Sequence, residues 1–248
     1  MDTKHEVQVP TSTITHRQQR GFLTRLPWSI MAILALGTAL YFATPYLTFN
    51  PAVSRIPLNP AAAWHFTLLA IHAITGGIAL LIGPIQFLSR LRTRYPAVHR
   101  MIGRIYMISV LIGSLAAFYS AVVSLDGFVA QVGFIFVAIL WFYSIIQAYT
   151  AIRSGNILLH RVWMVRNYAL TFAAVLLRVW LYAGITYLVI THQLHGPVTL
   201  TPAYTSAVWV SWVSTLVFAE WFINQRFFPL RAQKLQTMRE NEAKDLSL

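Results

Sequence analysis

Apolar residues run through the chain in six blocks: Trp28 to Leu47, His65 to Leu88, Met101 to Val123, Phe128 to Ile152, Tyr168 to Ile190 and Tyr204 to Phe222. Each approaches or exceeds the ~20 residues that carry a helix across ~30 Å of hydrocarbon. A lipid-embedded segment must satisfy its own backbone groups, so all six are expected to be helices. The pattern predicts an all-α, polytopic membrane protein, a six-transmembrane-helix bundle spanning residues 28–225. Polar tails precede and follow it, at residues 1–27 and 226–248.

The segments between the blocks alternate in character. Those after the second and fourth blocks are basic, whereas Thr48 to Trp64, Ser124 to Gly127 and Thr191 to Ala203 carry only one arginine, Arg55. Of the 19 Lys and Arg residues, all but Arg55 and the intramembrane Arg178 fall on one side. The positive-inside rule places that side, and both termini, in the cytoplasm. The first 27 residues are too long and too polar to open a cleaved signal peptide, so the first block reads as a retained anchor. Trp28, Trp64 and Trp163 fall at expected interfaces, where amphipathic rings settle.

Composition sharpens this picture. The chain is 57% hydrophobic and 10% charged, against roughly a quarter charged in soluble domains. Its net charge of +12 would raise the question of nucleic acid, but the one-sided distribution points instead to the lipid bilayer and its anionic headgroups. With no cysteine, thiolate and iron–sulfur chemistry are excluded, and any metal must be held by histidine, carboxylate or a cofactor ring.

Candidate chemistry begins with the histidines. On the second span His72, Gly76, Ala79 and Gly83 share one face, with His65 further outward. Such a face serves either as a small-residue packing seam or as the surround of a buried ligand or proton carrier, His72. On the third span His99, Gly103, Tyr106, Gly113 and Ala117 share a face. The segment His99-Arg100-Met-Ile-Gly103-Arg104-Ile-Tyr106 is echoed by His160-Arg161-Val-Trp-Met-Val-Arg166-Asn-Tyr168 at the entrance of the fifth span. His99 and His160 are thus expected at similar depth. They are candidate axial ligands of a haem b iron, with Arg100 and Arg161 on its propionates; the simpler alternative is contact with lipid phosphates.

Arg178 lies deep in the fifth span and requires a partner. Glu220, the only acid in any span, is the expected one, with Gln147, Tyr143 and Ser144 completing a polar core. That core is either a structural ion pair or the lining of a substrate or proton path. His192 and His195 offer an i, i+3 pair for a divalent metal if helical, without a carboxylate nearby.

At His72-Ala-Ile-Thr-Gly-Gly, Gly83-Pro-Ile-Gln86-Phe and the two His-Arg segments, the chain resembles a family of uncharacterised bacterial membrane proteins, domain of unknown function DUF2306, over about residues 65 to 185. That resemblance implies an inner-membrane location and no stated activity. More loosely, the chain resembles the six-helix b-type cytochromes, whose ligand histidines pair helix two with four and helix three with five. His99 with His160 matches the second pair; the fourth span has no histidine, so at most one haem of that type is implied.

Two function classes follow. One is a haem- or quinone-linked electron carrier with His99 and His160 as ligands and His72 in an outer site. The other is a small-solute or proton-coupled transporter, or an accessory membrane subunit, using His72, Arg178 and Glu220 as a polar pathway.

Overall fold

The computed structural model describes residues 12–193 and 197–228. Its helices are α1 (Ser12–Ala43), α2 (His65–Gln86), the short α3 (Ser89–Arg94), α4 (Pro96–Val123), α5 (Phe128–Arg153), α6 (Ile157–Ile190) and α7 (Pro197–Phe227). Six helical segments are long and apolar enough to cross a membrane, the first of them Pro27–Thr48, and among the described residues there is no strand. The protein is an all-α, multi-pass membrane protein. Residues 1–11 and 229–248 of the expected tails lie outside the described residues.

Successive long helices pack side by side, α1 on α2, α2 on α4, α4 on α5 and α5 on α6. Because α6 also returns to α1 and α2, these five close into a ring, with α7 laid against α6 and α5. Six crossings bring the connection 87–95, with Arg90, Arg92 and Arg94, and the connection 154–156, flanked by Arg153 and Arg161, to one end, called here the basic end. Residues 49–64, 124–127 and 191–193 lie at the opposite end.

The helices overrun the apolar blocks at the basic end. The third spanning helix begins at Pro96 rather than Met101, and the fifth at Ile157 rather than Tyr168. The added turns hold the two His-Arg segments, which propagate a helix readily once Pro96 at the first turn or the Asn156 cap has started it. The Asn156 side chain accepts from the Leu159 amide at 3.0 Å, satisfying one of the free N–H groups of α6. Gly155, with φ of 77°, supplies the left-handed residue that ends α5. At 34 residues, α6 is about 51 Å long and stands well proud of the hydrocarbon layer.

Close approach of helices rests on particular small residues. A Cβ at Gly77 would stand 2.7 Å from that of Ala43 on α1, and one at Gly113 would meet Thr75 of α2 and the Trp141 ring of α5. The main core cluster joins Ala79, Tyr106, Val110, Trp141, Ile145, Tyr168 and Leu170, from four helices. Trp28 does more than mark an interface, because its indole N–H donates to the Pro84 carbonyl at 3.1 Å.

Candidate functional site

A buried polar network crosses the bundle below its middle. Tyr106 and Asn167 are fully buried. The Tyr106 hydroxyl donates to Asn167 Oδ1 at 2.7 Å, and the Asn167 amide donates to the Trp141 carbonyl at 3.0 Å and to Ser144 Oγ at 2.9 Å. Thr171 Oγ1 accepts from Trp141 Nε1 at 2.9 Å, donates toward the Asn167 carbonyl and lies 3.0 Å from the Tyr106 hydroxyl. Each side chain has its partners, which is what a buried network requires to stabilise rather than cost.

Nearer the basic end, a proline dictates a second contact. Pro84 has no N–H to give the carbonyl one turn back, and that carbonyl, on Leu80, accepts the Tyr168 hydroxyl at 3.4 Å. To reach it the Tyr168 ring lies directly over Gly83, where a side-chain Cβ would overlap it. The Gly83-Pro84 pair and Tyr168 are therefore one packing device.

Above these two layers, toward the opposite end, the helices part around a cavity of about 380 Å³. Its wall is mostly apolar, with His72, Thr171 and Arg178 inside and Arg55, Asp126 and Tyr204 toward the opposite end. His72 Nδ1 lies 3.1 Å from the Gly113 carbonyl, and a carbonyl only accepts, so Nδ1 carries the proton. The ring stands edge-on to Trp141. Arg178 Nη1 donates to the Ala174 carbonyl of its own helix at 2.6 Å, and its guanidinium sits 4.4 Å from the centroid of Phe42. Asp126 accepts from Ser124 Oγ at 2.6 Å and from the Tyr204 hydroxyl at 3.4 Å.

Both layers and most of the cavity wall fall within residues 69–223, and that stretch is matched by the family model described as "Predicted membrane protein (DUF2306)". The chain belongs to the DUF2306 family. No curated protein and no solved structure matches the chain.

In this DUF2306 protein the two His-Arg segments act alike, each tying the start of one helix to the end of the one before. His160 Nδ1 donates to the Ala148 carbonyl of α5 at 2.8 Å. His99 meets Gln86 at the end of α2: with the amide oriented to suit its neighbours, the Gln86 nitrogen donates to His99 Nδ1 at 2.7 Å and its oxygen accepts from Gly103 N at 3.3 Å. Arg100 and Arg161 are exposed at the basic end.

This arrangement does not fit a haem held between the two histidines. His160 retains an unprotonated Nε2. His99 does not, because Nδ1 accepts from Gln86 and the ring proton is left on Nε2. Over Gly103 stands the Gln86 amide, 3.6 Å from where a Cβ would lie. Among the described residues no three His, Cys, Asp or Glu side chains group as metal ligands.

The expected pair of Arg178 with Glu220 is not formed. Glu220 instead accepts from Arg166, at 2.5 Å from Nε and 3.0 Å from Nη2, with the guanidinium 4.6 Å from the Trp163 ring centroid. The cause is depth. Arg166 and Arg178 are twelve residues apart on α6, about 18 Å along the axis, and antiparallel α7 brings Glu220 level with the first. Alongside Arg178, α7 supplies Tyr204 and Val208 to the cavity wall. The expected polar core also divides: Ser144 joins the buried network, while Gln147 donates to Tyr143 at 2.7 Å on the outer surface of α5.

Of the remaining histidines, His65 is 1% exposed. It accepts from the Asn59 amide at Nδ1, and its Nε2 has no partner among the described residues. His192 sits in a turn with φ of 55°, so the helical pairing with His195 is not present at that residue; His195 lies outside the described residues. Sequence reasoning missed Asn167, Asp126 and Tyr204. Asn167 stood inside a quoted segment, and its signal was a carboxamide one step before an aromatic residue in an apolar helix. Asp126 carried a signal too, as the only acid in the connections at its end.

Proposed function

We propose that the protein binds a small, largely apolar molecule in the cavity between its spans, received from the end opposite the basic loops. One observation carries this reading: the bundle is packed and hydrogen-bonded across its basic half, yet keeps about 380 Å³ open in the other, lined by apolar residues with His72 and Arg178 among them. Small-molecule sites of roughly 300–1,000 Å³ combine an apolar wall with a few polar groups that fix orientation. Ionisable side chains inside a membrane helix face such sites rather than lipid. Under the positive-inside rule the basic end is cytoplasmic, so the cavity opens outward from an inner membrane, and the exposed arginines meet anionic headgroups.

A quinone head satisfies this description, and so does the solute of a transporter caught open to one side. The test is thermal unfolding in nanodiscs of zwitterionic phosphatidylcholine, with decylubiquinone, decanoate, decanol and decylamine added in turn. A ligand that binds only the folded state raises the midpoint. At least one compound should do so for the wild-type protein and fail to do so for Ala174→Phe, which fills the cavity from α6. No shift from any compound, or equal shifts in both proteins, would remove the reading.

A further inference from the structure

The donors and acceptors lining the cavity do not balance. Ser120, Ser211 and Thr171 give their hydroxyl protons to carbonyls of their own helices, and Trp141 gives its N–H to Thr171. Arg178 gives one N–H to Ala174. For its other N–H groups no acceptor is found among the described residues, and the one ion pair found there is Arg166 with Glu220. Trp212, on the same wall, has its indole N–H buried with no acceptor.

The charges do not balance either. Arg55 lies with its guanidinium 4.1 Å from the Tyr41 ring centroid and 5.1 Å from that of Phe42, the ring that Arg178 also contacts. Two cations thus flank one aromatic ring. The single carboxylate of the lining, Asp126, is engaged by Ser124 and Tyr204. An arginine inside a membrane bundle without a counter-ion requires water or acceptors, and a bound anion supplies the charge and the acceptors that Arg178 lacks. Elsewhere the wall is mostly apolar, with Ala39, Leu80, Val137 and Leu170 among it, and His72, Thr38, Tyr46 and Tyr182 as its further polar side chains.

We propose that the ligand is a single-chain anionic amphiphile, its carboxylate-like head paired with Arg178 and its apolar body along the wall of α2 and α5. This rests on the reading that the cavity binds a small molecule, and goes further in assigning charge to the head and Arg178 as its anchor. Planar guanidinium donors match a carboxylate in bidentate fashion, a geometry that an ammonium does not reproduce.

The test is equilibrium binding of radiolabelled decanoate to the protein in phosphatidylcholine nanodiscs, with decanol, decylamine and decylubiquinone as competitors. Decanoate should bind at least tenfold more tightly than any of the three. Arg178→Gln should weaken decanoate at least tenfold while leaving decanol within about twofold, and Arg178→Lys should recover part of the loss. Replacing a third of the phosphatidylcholine by phosphatidylglycerol should leave decanoate affinity unchanged. Equal affinity for decanol or decylubiquinone, or indifference to Arg178→Gln, overturns the anionic head while leaving the cavity as a binding site. Competition by phosphatidylglycerol assigns Arg178 to a lipid headgroup and overturns the single-chain ligand. Should Arg178→Gln not accumulate, the order of the four compounds on wild-type protein decides the matter.

Discussion

Gly83→Val should all but remove the folded protein from the membrane. The Tyr168 ring occupies the place a Cβ would take at residue 83, and it is held there by its hydroxyl on the Leu80 carbonyl. Forcing a Cβ and its two methyl groups into that contact costs about 1–3 kcal/mol as overpacking. If the ring swings away instead, the carbonyl left free by Pro84 loses its partner in an environment without water, at a cost of several kcal/mol. The first route removes a sizeable share of the ~5–15 kcal/mol stability of an ordinary domain, and the second can remove most of it. The measurement is the yield of monodisperse protein after extraction, with Gly83→Ala alone and combined with Tyr168→Leu. If the clash itself is the cost, the combination recovers protein that the single change loses, because the obstructing ring is gone; equal losses would assign the cost to the Leu80 carbonyl, which loses its Tyr168 partner.

Asn167→Leu is the second large effect. The substitution nearly preserves volume but removes three hydrogen bonds, to Tyr106, to Ser144 and to the Trp141 carbonyl. At the ~0.6 kcal/mol average for side-chain hydrogen bonds in membrane bundles, the loss is about 2 kcal/mol. A melting midpoint lower by roughly 4–8 °C is expected on the scaling for chains of this size. Tyr106→Phe, which removes one hydroxyl and leaves the Asn167 amide bonded to α5, should lower the midpoint by less than half as much. The reverse order would move the centre of the network from Asn167 to Tyr106.

The architecture was legible because apolar block length and one-sided arginine follow directly from the thickness and charge of a bilayer. Helix ends were less so: nothing in the hydropathy of His160-Arg161 distinguishes a helix projecting past the membrane from a loop, and placing α6 eleven residues late put Arg178 nearer to Glu220 than it is. It also left Arg166, the residue that pairs with Glu220, in a connection outside the spans, so that Glu220, the only acid in any span, was assigned to Arg178. The two His-Arg segments stand out in the sequence, but the partners of the histidines, Gln86 and the Ala148 carbonyl, are 13 and 12 residues away across helical hairpins and carry no spacing signal. The cavity was the least legible feature, since an absence of side-chain volume among six helices has no sequence pattern of its own. Only its polar landmarks, His72 and Arg178, stood out, as ionisable groups in apolar runs.

The proposed function requires a water-accessible cavity that opens at the end opposite the basic loops and is sealed from the basic end. Because the chain has no cysteine, single cysteines report on this without background. Ala117→Cys and Ala174→Cys, both on the cavity wall, should react with a small, charged, membrane-impermeant thiol reagent. In sealed vesicles they should do so only from the side opposite to that which labels Thr93→Cys in α3. Labelling of either wall position from the Thr93 side, or by membrane-permeant reagents alone, would contradict the account.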